Sequence, residues 1–436
     1  MKSFLRKLTP QPILKAYHYS MAKLGALVYG FPSRKMLIIG ITGTKGKTST
    51  ANFIWSLLNF SGWKTGIVST ANIRIGDEEY PNAYHMTMPG RFEIQKWLKK
   101  MLDAGCRAAI VETTSEGINQ YRHKGIEYDF LVFTNLTPEH LPSHGGSFEK
   151  YKETKGRIFA DLEKTRRKTL QGRAIKKIFV VNGDSEHKDY FLGFKADKKI
   201  TFGIREKADY RAENIKTLNE ETSFDLGSDH YAVSIPGNFN VYNALPGIII
   251  AKGLGIPAAD IAAGLKRLKT IPGRMEKIDE GQDFAVFVDY AHEKESLTAV
   301  LETAESMSPN RIIILLGAEG GGRDKSKRPV MGKLAGEKAD YVIISNVDPY
   351  EDEPGPIIED IAKAAEEAGK TKDKNLFLIE DRRTGIRKAL SLAEKGDVVL
   401  ITGKGAEQSI IIGGKKRSWD DRKVVREELK KILNKN

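Results

Sequence analysis

The chain is poor in cysteine. Cys106 is the only one, so no intramolecular disulfide framework forms, and such usage fits a reducing, cytoplasmic setting. It also lacks any stretch of about 18 consecutive apolar residues, which argues against a membrane-spanning helix. Lys23 and Gly25 interrupt the apolar part of residues 1–35, and no clear cleavage site follows, so a secretory signal peptide is not expected. There is no internal repeat, no low-complexity tract, no zinc-finger spacing, no RRM-like aromatic signature and no strong helix-turn-helix pattern. What remains is the balance of a soluble globular protein, 40% hydrophobic and 29% charged over 436 residues. That length suits roughly two or three domains.

Acidic residues are outnumbered: 70 Lys and Arg against 57 Asp and Glu give a formal charge of +13. A basic surface binds nucleic acid, lies on anionic lipid or attracts a polyanionic small substrate. Much of the excess sits in short runs, Arg166-Arg167-Lys168, Lys176-Lys177 and Lys415-Lys416-Arg417, and runs of this kind usually mark a solvated face. With no nucleic-acid signature beside them, no nucleic-acid partner is expected. In residues 1–35, Lys2, Arg6, Lys7, Lys15 and Lys23 stand among apolar residues. An amphipathic helix there either caps the domain, the favoured reading, or makes a peripheral membrane contact.

Short β-branched runs at 36–41, 108–112, 130–134, 178–181, 284–289, 311–316, 341–345 and 398–402 are mostly continuous rather than alternating. That is the pattern of parallel strands buried on both faces. Helical stretches at 49–60, 92–104, 258–268, 329–338 and 357–368 lie between them. The chain therefore reads as α/β with mostly parallel sheets. Thr270-Ile-Pro-Gly273 breaks the pattern, which predicts an N-terminal helical segment over 1–35, a central domain over 36–270 and a C-terminal domain over 271–436.

The strongest local signal is Gly40-Ile-Thr-Gly-Thr-Lys-Gly-Lys-Thr-Ser-Thr50. It follows an apolar run and opens a helical stretch, as a phosphate-binding loop must. Glycines let backbone N–H groups converge on phosphate oxygens, and the helix N-terminus adds partial positive charge. On that pattern Lys47 reaches the β- and γ-phosphates and Thr48 sets its hydroxyl on Mg²⁺. Ile41 stands where the first glycine of the standard pattern belongs; the alternative is a glycine-rich turn without a ligand. Glu112 ends an apolar run, and an oxygen ligand near phosphates suits Mg²⁺, although an ordinary strand-end acid looks the same. Five of the eight histidines, 85, 123, 140, 144 and 187, lie in one stretch, so any one of them alone means little.

Taken in order, the strings resemble the Mur ligases, and within them the enzymes that add the third amino acid to the peptidoglycan precursor. Gly43-Thr-Lys-Gly-Lys-Thr48 is similar to a loop shared with folylpolyglutamate synthases. Glu112-Thr-Thr-Ser-Glu-Gly-Ile-Asn-Gln-Tyr-Arg122 and Phe133-Thr-Asn-Leu-Thr-Pro-Glu-His-Leu-Pro-Ser-His-Gly145 resemble family segments, as do Val181-Asn-Gly-Asp184, Pro236-Gly-Asn-Phe-Asn-Val-Tyr-Asn-Ala-Leu245, Pro272-Gly-Arg-Met-Glu276, Val288-Asp-Tyr-Ala-His-Glu-Lys-Glu-Ser-Leu297 and Gly317-Ala-Glu-Gly-Gly-Gly-Arg-Asp-Lys-Ser-Lys-Arg328. The resemblance implies a central P-loop ATPase-like domain followed by a C-terminal Rossmann-like domain, a monomer, and ATP and Mg²⁺ as cofactors. It implies that Gly43, Thr44, Lys45, Gly46, Lys47, Thr48, Ser49, Asn243, Arg274, Asp289 and His292 bind ATP. Thr48, Glu112, His140 and a carbamylated Lys155 would serve the metal ions, with Lys152 the local competitor for that modification. Catalysis would rest on Lys47, Glu112, His140, Lys155 and Arg274. Thr87, Ser115, Gln120 and Arg122 would contact the acceptor peptide; Asp348, Tyr350, Gly403 and Glu407 would contact the incoming amino acid.

The sequence departs from the family in places. Related synthetases carry roughly a further domain before the loop, so UDP is expected to be held differently or by a partner. Lys294 replaces a proline. Val347-Asp-Pro-Tyr350 stands where diaminopimelate-adding enzymes have an arginine for the second carboxylate, and Tyr350 offers no bidentate fork. Glu351-Asp-Glu353 follows it, an acidic setting that suits lysine or another cationic amino acid. Ala406 replaces a histidine in Gly403-Lys-Gly-Ala-Glu407, leaving Glu407 to orient the amine. The implied reaction activates the D-glutamyl side-chain carboxylate of UDP-N-acetylmuramoyl-L-alanyl-D-glutamate as an acyl phosphate, which an amino acid then attacks, with domain closure excluding water. The alternatives are another Mur-type ligase, making folylpolyglutamate or a poly-amino acid, and a non-catalytic ATP-binding module.

Overall fold

Continuous aliphatic runs bury both faces of a strand, and they occupy the middle of both large sheets. The computed structural model describes residues 10–82, 84, 86–139, 141–218 and 221–434. Two units emerge: Met1–Lys216 with Ser223–Val233 and Phe239–Leu268, and Lys269–Asn436 with Thr217–Thr222 and Ser234–Asn238.

The first unit holds strands β1 (Leu37–Thr42), β2 (Thr65–Val68), β3 (Asn72–Ile75), β4 (Glu78–Pro81), β5 (Ala108–Glu112), β6 (Phe130–Phe133), the small pair β7 (Thr169–Leu170) and β8 (Arg173–Ala174), and then β9 (Ile178–Asn182), β10 (Lys198–Gly203) and β11 (Tyr210–Arg211). Its main sheet runs β11-β10-β9-β6-β1-β5-β2-β3-β4. All neighbours from β11 to β2 are parallel, and β3 and then the edge strand β4 extend the sheet antiparallel. β12 (Glu213–Leu218), β13 (Glu221–Leu226) and β14 (Asp229–Val233) form a separate sheet. The helices are α1 (Gln11–Val28), α2 (Lys47–Phe60), α3 (Arg91–Asp103), α4 (Ser115–Asn119), α5 (Phe148–Leu162), α6 (Lys188–Leu192), α7 (Asn238–Gly253) and α8 (Ala258–Arg267). The core gathers Ile38, Val111, Leu131, Phe133, Phe159, Phe179 and Phe191 between sheet and helices.

The second unit holds β15 (Glu276–Lys277), β16 (Ala285–Asp289), β17 (Ile312–Leu316), β18 (Tyr341–Ile344), β19 (Leu376–Leu378) and β20 (Val398–Thr402), with a hairpin of β21 (Ser409–Ile412) and β22 (Lys415–Ser418). Sheet order is β15-β16-β20-β17-β18-β19, with only β15 antiparallel. Helices α9 (Lys294–Ser306), α10 (Lys327–Lys338), α11 (Pro354–Glu367), α12 (Arg382–Leu392) and α13 (Asp421–Leu433) accompany it. Its core is aliphatic: Val286, Ile313, Leu315, Ile343, Val399 and Ile401.

Register sets where the chemistry goes. In the first sheet Ile41 pairs with Glu112, and Thr42 with Phe133. The chain thus leaves β1, β5 and β6 at one edge, carrying the loop at 43–48, the segment from Glu112 and the segment from Thr134 together. In the second sheet Asp289 pairs with Thr402, and Leu316 with Ile344. Asp289, Gly403, Gly317 and Ser345 therefore share an edge. These are the carboxyl ends of parallel strands, where open α/β sheets bind ligands.

Every predicted strand is present to within one residue at either end. The helices begin up to three residues earlier than their apolar periodicity suggested, because a first turn such as Lys47-Thr48 or Pro354-Gly355-Pro356 is polar or proline-bearing. Among the described residues no helix is long and apolar enough to cross a membrane.

Candidate active site

In the first unit the loop between β1 and α2 is held from several sides. Gly43 and Gly46 have φ of 147° and 80°, a region that disfavours side chains. A Cβ on Gly43 would strike Thr134 Oγ1, and one on Gly46 would strike Asn243 Oδ1. The Asn135 carbonyl accepts from Thr44 N at 2.9 Å and its side-chain Oδ1 from Lys45 N at 2.8 Å. Asn135 Nδ2 and Thr134 Oγ1 both donate to the Lys45 carbonyl. Gly46 caps α2 and accepts from Thr50 N. The loop is thus prearranged around a helix N-terminus, as an anion cradle must be. Lys47 Nζ folds back onto the Thr44 carbonyl at 2.8 Å. Ser49 is buried in the first turn of α2.

Thr48, the first-turn hydroxyl of α2, donates to Glu112 Oε2 at 2.8 Å. Glu112 is 2% exposed. It also accepts from Thr70 N at 3.0 Å and Thr70 Oγ1 at 3.1 Å, and Thr70 Oγ1 in turn lies 2.7 Å from Thr87 Oγ1. A buried carboxylate with hydroxyl partners beside a phosphate loop is the hard-oxygen donor set that Mg²⁺ takes. Thr70 carries no motif signal; only the packing of the segment after β2 reveals it.

Lys155 is 1% exposed, and its Nζ donates to the Gly43 carbonyl at 2.8 Å. Burial, reinforced by the Lys47 ammonium, pushes its amine well below the ordinary lysine range. Its competitor Lys152 is ion-paired with Glu149 at 2.8 Å on the helix surface. Tyr151 fixes the other side of the loop, 3.1 Å from Thr44 Oγ1. His140 lies outside the described residues.

His144 is buried, with Nε2 3.1 Å from Ser115 Oγ and Nδ1 3.3 Å from Asn119 Nδ2. Arg122 donates to the Met88 carbonyl at 2.6 Å and to Gln120 Oε1 at 2.7 Å. Ser115 opens the short helix α4, which Thr114 caps by accepting from Gly117 N, while Gln120 closes it and Arg122 lies just beyond. Asn243 sits against the phosphate loop, accepting from Thr50 Oγ1 at 3.5 Å and donating to Asn240 at 3.0 Å.

In the second unit Asp289 is buried and accepts from Met275 N and Ala291 N, both at 2.7 Å. Burial pushes its carboxyl above the usual range. Arg274 lies over the Tyr290 ring at 4.6 Å, and His292 Nδ1 is 2.7 Å from the Tyr290 carbonyl. The turn is tight: a Cβ on Gly273 would collide with Gly405 and Ala406.

Beside this lies a feature the sequence reading passed over. Lys404 is 1% exposed and bridges Asp348 and Glu407, each at 2.6 Å. Burial opposes its charge, but Glu407 and Asp348 outweigh it and raise its pKa. One ammonium thus offsets one of the two carboxylate charges here, separately from the acidic run Glu351-Asp-Glu353 that follows Tyr350. Asp348 also accepts from Ile411 N at 2.7 Å. Tyr350 has φ of 57°, with the Arg323 guanidinium 5.9 Å from its ring centre. Gly403, φ 109°, lies against Val347. Glu319 completes the group: burial opposes its charge, and His292, Lys327, Arg323 and Lys404 hold its carboxyl below the usual range.

Residues 41–251 match the Mur ligase middle domain and residues 273–405 the Mur ligase glutamate ligase domain. The chain is 37% identical over 416 residues to a UDP-N-acetylmuramoyl-L-alanyl-D-glutamate–2,6-diaminopimelate ligase of Geobacillus kaustophilus, covering 94% of this chain and 82% of that protein. It is 35% identical over 433 residues to a UDP-N-acetylmuramyl-tripeptide synthetase of a Roseiflexus species, covering 97% and 84%. A solved structure of a UDP-N-acetylmuramoyl-L-alanyl-D-glutamate–2,6-diaminopimelate ligase matches with TM-score 0.61 at 28% identity, covering 92% and 79%.

Proposed function

Since the chain belongs to the Mur ligase family, we propose that it is an ATP-dependent ligase adding the third amino acid to UDP-N-acetylmuramoyl-L-alanyl-D-glutamate. The observation that carries this reading is the pairing of Thr48 with buried Glu112 at the mouth of a prearranged phosphate loop.

The chemistry follows from that pairing. Carboxylate and amine do not condense in water without a leaving group on the acyl carbon. The D-glutamyl carboxylate attacks the γ-phosphorus of ATP, the bond to the ADP oxygen breaks, and an acyl phosphate forms. The amino acid's neutral amine then attacks the acyl carbon, inorganic phosphate leaves with its bonding electrons, and the nitrogen releases a proton as the amide forms. Thr48 and Glu112 are the residues that would hold Mg²⁺, which when bound neutralises phosphate charge. Lys47 supplies fixed positive charge next to the loop. Asn135 already accepts from the backbone N–H groups of Thr44 and Lys45, so phosphate oxygens fall to the other N–H groups of the loop and to the first turn of α2. In this reading Arg274, Asp289 and His292 also serve the nucleotide, and Ser115, Gln120 and Arg122 orient the acceptor peptide.

Lys155 supports a second covalent event. A neutral buried amine is the form that adds to CO₂: a nitrogen–carbon bond forms, a proton leaves, and the product is a carbamate anion. The lowered basicity of Lys155 favours the reactive form, and as a carbamate it would serve the second metal ion with His140. Asp348, Lys404 and Glu407 form the charged group to which the amino acid's ammonium and carboxylate are assigned.

The test is phosphate release by the purified protein with ATP, Mg²⁺ and this precursor, across diaminopimelate, lysine, ornithine and no amino acid. Release stimulated by one of them supports the reading and names the substrate. Lack of stimulation by all of them overturns it.

A further inference from the structure

Helix α1 packs with its small residues inward. Ala22, Gly25 and Ala26 are buried. A Cβ on Gly25 would come within 3.1 Å of the Arg91 carbonyl, and one on Gly125 would come within 2.8 Å of Ala26. At about 100° per residue the opposite face gathers Ile13, Tyr17, Leu24, Leu27 and Val28 into an arc of roughly 100°. Their exposures are 59, 56, 45, 60 and 61%. This is an inverted pattern for a helix on a water-facing surface: large apolar side chains point out and alanine and glycine point in. A stripe of this kind marks an interaction face.

Its flank is basic. Tyr19 and Lys23 of α1 form one wall of a cavity of about 290 Å³ whose other lining includes Lys124, Lys164, Arg166 and the buried His123. The acids there are already engaged, Asp161 by Lys124 and Glu127 by Arg34. Lys164 and Arg166 make no ion pair among the described residues, so the rim carries net positive charge. The first 35 residues contain seven Lys and Arg and no Asp or Glu, and the first acid in the chain is Asp77.

We infer that the outer face of α1 and the basic rim beside it dock on an anionic membrane surface, with the apolar stripe among acyl chains and the rim against lipid phosphates. The combination is that of an interfacial amphipathic helix, apolar on one face and cationic at its border. Charge complementarity selects this occupant over a second copy of the chain, because a symmetric pairing of the stripe would bring two basic rims together.

The test is co-sedimentation of the full chain with vesicles of phosphatidylcholine alone and of phosphatidylcholine mixed with phosphatidylglycerol. Binding is expected to the mixed vesicles only, weakening with salt. Leu24→Glu with Leu27→Glu, and separately Lys164→Glu with Arg166→Glu, should each weaken it by at least about tenfold, with melting temperatures unchanged because all four side chains lie on the surface. Soluble glycerol phosphate, which has the headgroup charge and no acyl chain, should not release the protein. Failure of the wild type to sediment with mixed vesicles overturns the inference. So do double variants that bind like the wild type, release by glycerol phosphate, or a concentration-dependent dimer that the Leu24→Glu and Leu27→Glu pair abolishes.

Discussion

Replacing Arg382 by methionine tests whether a buried ion pair holds the edge of the second sheet together. Arg382 is 2% exposed and Asp421 fully buried. The guanidinium donates from Nε and Nη2 to the two Asp421 oxygens at 2.8 and 2.6 Å. Nη1 donates to the Asn346 carbonyl at 3.1 Å, and Nη2 also to the Thr402 carbonyl at 2.8 Å. One side chain thus ties the chain leaving β18 to the chain leaving β20, immediately before Asp348 and Gly403-Lys404. Methionine keeps the volume but strands the Asp421 carboxylate with Trp419 Nε1 as its remaining side-chain donor, at 2.8 Å. Breaking a buried pair from one side costs about 3–5 kcal/mol. For a unit of this size each kcal/mol moves the midpoint by about 2–4 °C, so the transition should fall by between about 6 and 20 °C. Scanning calorimetry and urea unfolding measure it. Removing the stranded charge as well, in Arg382→Met with Asp421→Leu, should recover at least about 2 kcal/mol of that loss. The KM for the amino acid should rise in the single variant, since both segments carrying the charged group lose their tie. An Arg382→Met protein within about 1 kcal/mol of wild type would refute the reasoning, because a dry, uncompensated carboxylate cannot be that cheap.

The remaining expectations concern the site and its pH response. Glu112→Gln keeps the shape that Thr48 and Thr70 bind but loses the charge, so turnover should fall by about 10²–10³-fold while the melting temperature stays within a few degrees; near-normal turnover would remove Glu112 from the site. Lys155→Ala should abolish turnover, and wild-type protein stripped of CO₂ should lose activity and regain it on adding bicarbonate, with a ¹³C carbamate signal following; activity indifferent to CO₂ would leave Lys155 unmodified. His123 is buried with Nε2 3.4 Å from Asp161, and burial holds its pKa below the ordinary histidine value. The unfolded chain therefore takes up a proton first, and stability that is fully present above the ordinary histidine pKa is lost as pH falls from there through the depressed folded value. His123→Gln should flatten that loss in urea titrations between about pH 7 and 5; an unchanged profile would show that other groups set it.

Much was legible in order along the chain. Apolar runs such as 37–42 and 312–316 declare buried parallel strands because no other placement hides them on both faces. Gly43, Gly46, Lys47 and Thr48 declare a phosphate loop because the backbone conformation and the chemistry demand those residue types. The antiparallel strands at one side of the first sheet were not legible: the edge strand Glu78–Pro81 is largely exposed, and Asn72–Ile75, paired between it and Thr65–Val68, is too short for a pattern to rise above its neighbours. The first residues of α2, α10 and α11 were missed for a related reason, since a helix begins before its apolar stripe does.

Residue order settles local matters: which segments are strand or helix, and which residue types carry chemistry. Its motif strings also carried the family resemblance, because chemistry constrains short segments residue by residue. Which residues meet depends on the folded chain. Thr48 and Glu112 are 64 positions apart, Lys155 and Gly43 112, and Lys404 and Asp348 56. Sheet register brings the first of these pairs to one edge. Burial removes water from Lys155 and thereby lowers its basicity, whereas Lys152, three residues away, stays at the surface and pairs with Glu149. Lys404 reads in sequence as one more lysine among many. Folding makes it the cation between two acids, because burying any of those charges without the others would cost more than the fold can bear.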